Sequence, residues 1–307
     1  MGGVKSLGHL FRLISLLLAM VLVACKPTPH DEPLQYSNSN PASIPVYRFA
    51  VHPLHNPQKL MAVYQPLMDH LNSQLTNARL ELEASRDYQA FEQKYAAREP
   101  AFLLPNPWQT LQAMKLGYHV MAMAGDAQDF RGIFLVRKDS PIRNPADLKG
   151  KVVSYPSYTA LAAAIMPQYF LHTHGIDVMR DIQNVYVGSQ ESSILNVYMG
   201  RAAAGATWPP PWRLFQQDHP TEAAALRVIW ETEPLLNNSV MVRDDVPAAV
   251  RDQVKRSLLN LASTPAGSAI LSGMATARFH ASDDASYDVV AQYVKQFEKA
   301  VRPVERP

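Results

Sequence analysis

A hydroxyl-bearing turn in the middle of the chain has the residue types of an anion-binding site. Ser157, Tyr158 and Thr159 follow Pro156, which ends a short β-branched and aromatic segment, and they precede an Ala- and Leu-rich run that ends at Gly175. A strand before such a turn and a helix after it would gather backbone N–H groups and the positive end of the helix dipole. Ser157 or Thr159 is the expected cap of a helix that starts at Thr159. Ordinary helix capping, without a ligand, is the alternative interpretation.

Residue types suited to metal binding or covalent catalysis are sparse. The close histidine pairs His52/His55 and His172/His174 lack the Cys or carboxylate neighbours of a zinc site, so we expect no metal. His52 is instead an expected hydrogen-bond donor to an anion. The sequence contains none of the common nucleophile, zinc-protease or nucleotide-binding motifs, so we expect neither an enzyme nor a cofactor. A net charge of +2 without a basic run gives no reason to expect a nucleic-acid partner.

The first 45 residues are expected to lie outside the fold. Residues 1–25 combine a mildly basic start with the apolar run Leu13–Ala24, as in a signal peptide. The run ends in Leu22-Val23-Ala24-Cys25, which resembles the lipobox of bacterial lipoproteins, and Cys25 is the only cysteine of the chain. The resemblance implies lipidation of Cys25 and anchoring in the cell envelope, facing the periplasm or the outer surface. Residues 26–45 are rich in Pro, Ser and Asn and are expected to form a flexible tether.

The rest of the chain alternates strand-like and helix-like segments, which is typical of an α/β fold with mostly parallel sheets. Short buried strands end at turns rich in polar, aromatic and proline residues. The run from Thr207 to Trp212, which contains three prolines, is expected to be a loop after a small-residue strand. At 307 residues the chain is long enough for two lobes.

The segment from Leu135 to Ile142, running on to Ala146–Lys151, resembles the entry to the second lobe of type 2 periplasmic binding proteins, the receptors of ABC importers. The subfamily that the chain most resembles binds phosphonate, phosphite or phosphate. Four further stretches carry this resemblance: His52–Leu71, Arg86–Tyr88, Asn106–Trp108 and Gly188–Ser193.

The resemblance implies two α/β lobes, with mixed and mostly parallel sheets flanked by helices, that close on a small oxyanion like a hinged clamp. It places the first lobe at residues 46–131 and 236–304 and the second at residues 132–235. The implied partners are an ABC transporter permease and the ligand, and the protein is expected to be a monomer. Ligands in such sheets lie beyond the carboxyl ends of strands. The expected ligand-binding residues lie in turns at such ends: His52, Tyr88, Asn106, Trp108, Ser157, Tyr158, Thr159, Ser189, Gln190, Thr207 and Trp208.

Three departures from the family pattern leave alternatives open. The turn at Ser157–Thr159 has fewer hydroxyls than is usual, and Gln190 stands where the family often has His. The family's acidic residue near Ala206–Trp208 is missing, which leaves Glu191 as the candidate partner of a ligand amino group. Trp108, Tyr88, Tyr158 and Trp208 could instead form an aromatic box for a methylated ammonium compound. A lipoprotein that acts as an adaptor, without transport, is a further alternative.

Overall fold

The computed structural model describes residues 44–304. The strands of this part of the chain are β1 (Val46–Val51), β2 (Arg79–Glu83), β3 (Phe102–Leu104), β4 (Tyr118–Ala124), β5 (Ile133–Arg137), β6 (Val152–Tyr155), β7 (Gln183–Tyr186), β8 (Ala204–Thr207), β9 (Leu226–Glu231), β10 (Ser239–Arg243) and β11 (Phe279–Ala281). The α-helices are α1 (Pro57–Gln74), α2 (Tyr88–Ala96), α3 (Pro107–Met114), α4 (Met166–Thr173), α5 (Gln190–Tyr198), α6 (Pro209–Asp218), α7 (Pro220–Ala224), α8 (Ala248–Asn260), α9 (Pro265–Gly273) and α10 (Asp288–Ala300). A π-helical turn, Leu161–Ile165, leads directly into α4, and 3₁₀ turns lie at Ala127–Asp129, Pro145–Leu148, Leu261–Ser263 and Ala285–Tyr287.

The strands form two sheets. The six-stranded sheet has the order β11-β4-β10-β3-β1-β2, and the five-stranded sheet has the order β7-β6-β8-β5-β9. Each combines parallel pairs, such as β1 with β3 and β6 with β8, with antiparallel pairs such as β10 with β4. This confirms the expected two-lobed α/β fold with mixed sheets, while the residue boundaries of the lobes stay predictions. We call the part built on the six-stranded sheet the first lobe and the part built on the five-stranded sheet the second lobe.

The chain passes from the first sheet to the second between β4 and β5 and returns between β9 and β10. Gly132 lies in the first crossing. A Cβ atom placed on it would lie 2.6 Å from the Ala162 carbonyl oxygen and 2.8 Å from Cγ of Pro167. Only glycine therefore lets the crossing pack this closely against the π-helical turn.

Two expectations about local structure are wrong. The helix after β6 begins at Leu161, not Thr159, and its preceding residue Ala160 provides no side-chain cap. The run after Trp208 is not a loop, because α6 begins at Pro209. Proline lacks an N–H, but the first N–H groups of a helix have no acceptor within the helix, so prolines are tolerated there.

None of the helices within residues 44–304 combines the length and apolar character that a bilayer crossing requires. The signal peptide, Cys25 and all but the last two residues of the tether lie outside the described residues.

Candidate functional site

A small cavity of about 10 Å³ lies where the π-helical turn begins. It is lined by residues of both lobes, and none of their side chains is an Asp, Glu, Lys or Arg. The lining residues are His52, Tyr88, Asn106, Phe130, Ala160, Leu161, Ala162, Ala163, Gln190, Trp208 and Asn238. The volume is about that needed for one water molecule. We call this space the helix-start cavity.

Backbone donors are concentrated on one wall of the helix-start cavity. The first hydrogen bonds of the π-helical turn run from the N–H groups of Ala164 and Ile165 to the Ala160 carbonyl, at 2.8 and 3.1 Å. The N–H groups of Leu161, Ala162 and Ala163 precede them and so have no acceptor within the helix. Together with the helix dipole they favour a negatively charged group.

His52 lies on the opposite strand end and is 2% exposed. Its Nδ1 lies 2.8 Å from the Leu104 carbonyl oxygen, and since a carbonyl only accepts, Nδ1 carries the proton. Burial lowers the pKa of His52 to about 4, so the ring is neutral near pH 7 and Nε2 is an acceptor. The structure therefore argues against the expected donation from His52 to an anion in this state.

Tyr88 and Gln190 meet across the two lobes. Gln190 donates from Nε2 to the Tyr88 hydroxyl at 3.1 Å, and its Oε1 accepts from the Thr207 hydroxyl at 2.8 Å. Thr207 thus fixes the orientation of the Gln190 amide. Burial raises the pKa of Tyr88, so the phenol keeps its proton, which remains to be donated to a ligand.

Asn106 has a positioning role. Its Oδ1 caps α3 by accepting from the Gln109 N–H at 3.1 Å, and its Nδ2 donates to the Thr159 carbonyl at 3.2 Å. It lines the helix-start cavity but uses its side chain to hold the turn before Ala160 against the first lobe.

Asn238 is the residue of this cavity that sequence reasoning missed. It follows the second crossing and is 3% exposed, and its side-chain oxygen has no hydrogen-bond partner. A buried polar atom without a partner costs free energy, so such atoms are rare and are often functional. No sequence motif marks Asn238, because it reaches the cavity through the return of the chain from the second sheet. Phe130, whose ring centre lies 5.4 Å from that of Trp208, was missed because it lies in the first crossing and no motif marks it.

A second and larger cavity of about 350 Å³ lies beside the first and shares Tyr88 with it. We call it the cleft cavity. Its lining residues are Asp87, Tyr88, Gln89, Glu92, Trp108, Pro156, Ser157, Tyr158, Thr159, Tyr186 and Gly188. Four are aromatic and two are carboxylates, and the lining contains no Lys, Arg or His. Asp87, Glu92 and Tyr186 were not expected from the sequence as ligand-binding residues.

The hydroxyl turn lies in this cleft cavity. Thr159 donates from Oγ1 to Oε1 of Glu92 at 2.6 Å, and the Ser157 hydroxyl lies 3.2 Å from that of Thr159. Thr159 has a single hydroxyl proton, which it gives to Glu92. In this state Thr159 therefore joins the lobes and does not donate to an anion.

The expected site residues are not all brought together. Ser189 caps α5 by accepting from the Ser192 N–H at 3.1 Å, and neither Ser189 nor Thr207 lines either cavity. Trp208 lines the helix-start cavity, apart from Trp108 and Tyr158, so the expected four-membered aromatic box is not assembled. Glu191 lies elsewhere, 3.3 Å from Asn56 Nδ2 and 3.5 Å from His219 Nε2.

Within residues 44–304 no cluster of three His, Cys, Asp or Glu side chains could hold a metal ion.

The chain matches the model of one protein family over residues 49–287, and that family is described as the periplasmic phosphonate substrate-binding protein of ABC transporters. Among solved structures it resembles a binding protein component of an ABC phosphonate transporter from Pseudomonas aeruginosa, with 15% identity and a TM-score of 0.77 over 83% of this chain and 87% of that one. It also resembles PhnD1 from Prochlorococcus marinus in complex with methylphosphonate, with 19% identity and a TM-score of 0.74 over 83% of this chain and 98% of that one. No curated protein matches the chain.

Proposed function

Since the chain belongs to the family of periplasmic substrate-binding proteins of phosphonate ABC transporters, we propose that it captures a phosphonate-like oxyanion in the helix-start cavity. The family is a solute-binding component of transport, so the protein is a binding protein and not an enzyme. Its members work with ABC permeases. What we propose is the class of ligand that this chain binds: a phosphonate, phosphite or phosphate.

One observation carries the proposal: Leu161, Ala162 and Ala163, whose N–H groups have no acceptor within the helix, line a cavity that residues of both lobes enclose. The Tyr88 hydroxyl adds a donor, and the unpartnered side-chain oxygen of Asn238 can accept from a P–OH group. Neutral donors suit a dehydrated oxyanion because each hydrogen bond to a charged group contributes about 1.5–3 kcal/mol. A hydrogen phosphonate, which carries one P–OH group, would also satisfy the acceptor at His52 Nε2. The methylphosphonate held by PhnD1 belongs to this ligand class.

The small volume of the helix-start cavity implies that the lobes move when a ligand binds. A phosphonate has at least four heavy atoms around phosphorus, whereas the cavity holds about one water molecule. Binding therefore requires the lobes to separate and close again around the ligand. Trp208 and Trp108 line the two cavities and provide fluorescence reporters of this step.

Titration of the protein with methylphosphonate, phosphite, phosphate and sulfate, followed by calorimetry and tryptophan fluorescence, tests the proposal. We expect saturable binding of one phosphorus oxyanion per chain. The variant Ala162→Pro removes one cavity-facing N–H at a position where a helix tolerates proline, and its ring fills the space of the donor. It should lose binding and keep its melting temperature within a few degrees.

The matched control is Ala249→Pro, at the second position of α8, where the residue is exposed and lines neither cavity. It should bind as the parent does. If no oxyanion binds, or if Ala162→Pro binds as tightly as Ala249→Pro, the proposed site is wrong. Specific capture of another protein, without binding of any small molecule, would favour the alternative that the protein is an adaptor lipoprotein without a role in transport.

We also propose that Cys25 is lipidated and anchors a monomer in the envelope, as the motif Leu22–Cys25 suggests. Cys25→Ser should abolish labelling by a fatty acid and leave the unprocessed precursor. Labelling that persists in this variant would refute the anchor.

A further inference from the structure

Arg302, close to the carboxyl terminus, carries the one buried formal charge among residues 44–304. Its side chain is 3% exposed, whereas every Asp, Glu and Lys and every other Arg of this range is at least partly exposed. Removing a guanidinium from water costs free energy unless an opposite charge lies beside it. A buried arginine therefore raises the question of where its counter-ion lies.

The partners of the Arg302 guanidinium are all neutral. Nε donates to Gln168 Oε1 at 2.8 Å, Nη2 to the Tyr158 carbonyl at 2.9 Å and Nη1 to the Pro303 carbonyl at 3.0 Å. Glu298, one turn earlier in α10, accepts from the Val304 N–H at 3.1 Å instead. Within residues 44–304 Arg302 thus has hydrogen-bond acceptors but no carboxylate partner.

The guanidinium lies behind the hydroxyl turn that precedes the helix-start cavity. Its central carbon lies 3.5 Å from the ring centre of Tyr158, and that ring lines the cleft cavity. Arg302 itself lines neither cavity. The positive charge is therefore next to the ligand-binding turn but out of contact with any ligand that the cavities hold.

The backbone limits how far this charge lies from the proposed oxyanion. Tyr158 precedes Ala160, which lines the helix-start cavity, by two residues. Two residues span at most about 7 Å, so the guanidinium lies within roughly 10 Å of that cavity wall. At this separation and an effective dielectric constant of about 20, opposite unit charges attract strongly enough to change a binding constant roughly tenfold.

Building on the proposed function, we propose that Arg302 supplies the positive charge that attracts the oxyanion, and that the bound oxyanion is the counter-ion of this buried guanidinium. The side chains that line the helix-start cavity include no Lys or Arg, and His52 is neutral near pH 7. Recognition of the negative charge then depends on the helix dipole and on Arg302, while the lining residues supply the hydrogen bonds.

A purely structural role for Arg302 makes a different prediction. In that case its three hydrogen bonds and its stacking on Tyr158 attach the end of the chain to the second lobe, and the charge is incidental. Lysine keeps the charge but cannot reproduce the planar, forked geometry of a guanidinium. Arg302→Lys therefore separates the effect of the charge from the effect of the geometry.

Calorimetric titration with methylphosphonate tests the proposal on the parent and on three variants of Arg302. The neutral variants Arg302→Gln and Arg302→Met should each bind roughly tenfold more weakly, and Arg302→Lys should stay within about threefold of the parent. Arg302→Met keeps an unbranched stem against the Tyr158 ring, and an apolar replacement of a buried charge is often neutral or stabilising. It therefore provides a folded neutral variant if Arg302→Gln unfolds, and thermal unfolding shows which variants fold.

The matched control is Arg278→Gln, which makes the same change in net charge at an exposed position and should bind as the parent does. Repeating the titrations at high salt adds a second test. Salt screens exposed charges that lie more than about 10 Å apart, whereas it screens buried charges much less. The difference between the parent and the neutral variants of Arg302 should therefore persist at high salt.

The results distinguish this proposal from the proposed function. If the parent binds methylphosphonate and a folded neutral variant binds equally well, Arg302 does not attract the oxyanion, although the binding site stands. Binding by Arg302→Lys that is as weak as that of the neutral variants would assign Arg302 a structural role, as would a difference that disappears at high salt. If the parent binds no phosphorus oxyanion, both proposals fail.

Discussion

The Thr159 hydroxyl donates to the Glu92 carboxylate at 2.6 Å, and this single bond joins the turn of the second lobe to helix α2 of the first. It belongs to a set that holds the lobes together. Asn106 donates to the Thr159 carbonyl, Gln190 donates to the Tyr88 hydroxyl, and Lys59 pairs with Asp218. Closure is therefore stabilised by polar bonds that form only when the lobes meet.

Thr159→Val removes the bond to Glu92 and keeps the side-chain shape. A hydrogen bond to a charged group contributes about 1.5–3 kcal/mol, so oxyanion affinity should fall roughly tenfold to a hundredfold. Because the bond is between lobes, the ligand-free variant should also have a larger radius of gyration in small-angle X-ray scattering. The exposed Thr221→Val is the control. An unchanged radius together with weaker binding would assign Thr159 to the ligand instead.

Asn238→Leu replaces a buried amide whose oxygen has no partner with an apolar side chain of similar size. Removing such a group should raise the free energy of unfolding of the ligand-free protein by about 1 kcal/mol. The variant should bind methylphosphonate at least roughly tenfold more weakly, because the acceptor for the P–OH group of the ligand is lost. Chemical denaturation and calorimetry measure the two effects, with the exposed Asn260→Leu as the control. A destabilised variant with unchanged affinity would contradict the role of Asn238 in the site.

The buried His52 predicts a loss of stability in acid. The unfolded chain takes up a proton near pH 6.5 and the folded chain near pH 4, so between these values the unfolded state binds more protons. The contribution of His52 to stability is full above pH 6.5 and falls by about 3 kcal/mol as the pH approaches 4. Urea denaturation of His52→Gln at pH 7 and pH 4 should show a smaller decrease than the parent. His70→Gln, in a partly exposed position, should behave as the parent does. Equal decreases in all three proteins would show that His52 is not the group responsible.

Gly132→Ala places a methyl group 2.6 Å from the Ala162 carbonyl oxygen. Since the contact is with backbone, relief requires the crossing or the π-helical turn to shift, at a cost of about 1–3 kcal/mol. Thermal unfolding should show this loss of stability. Methylphosphonate affinity should also fall, because the displaced π-helical turn carries the N–H donors. In Gly273→Ala the added methyl group has no neighbour within 4 Å, so stability should be nearly unchanged. Parent-like binding by Gly132→Ala would show that the turn tolerates displacement.

Local patterns predicted the α/β alternation and most turns of the site, whereas the two lobes were implied by the resemblance to type 2 periplasmic binding proteins. The strand before Pro156 and the turns at His52, Asn106 and Gln190 lie where the sequence placed them, because strands and polar turns depend on nearby residues. The helix start was misplaced because Ala160–Ile165 has no residue that marks a boundary, and Thr159 is bound by Glu92, 67 positions away. Glu92 and Asn238 could not be predicted, since only the packing of the lobes brings them to the cavities.

The carboxyl-terminal segment can report on the state of the cleft. Arg302 is 3% exposed and donates to the Tyr158 carbonyl at 2.9 Å and to Gln168 Oε1 at 2.8 Å, which attaches the segment after α10 to the ligand-binding turn. Any opening that displaces this turn must either drag residues 301–304 along or release them to solvent. Protection of these amides from hydrogen exchange should therefore rise with ligand occupancy. Residues 301–304 would then report whether a ligand occupies a site that lies more than 140 residues earlier in the sequence.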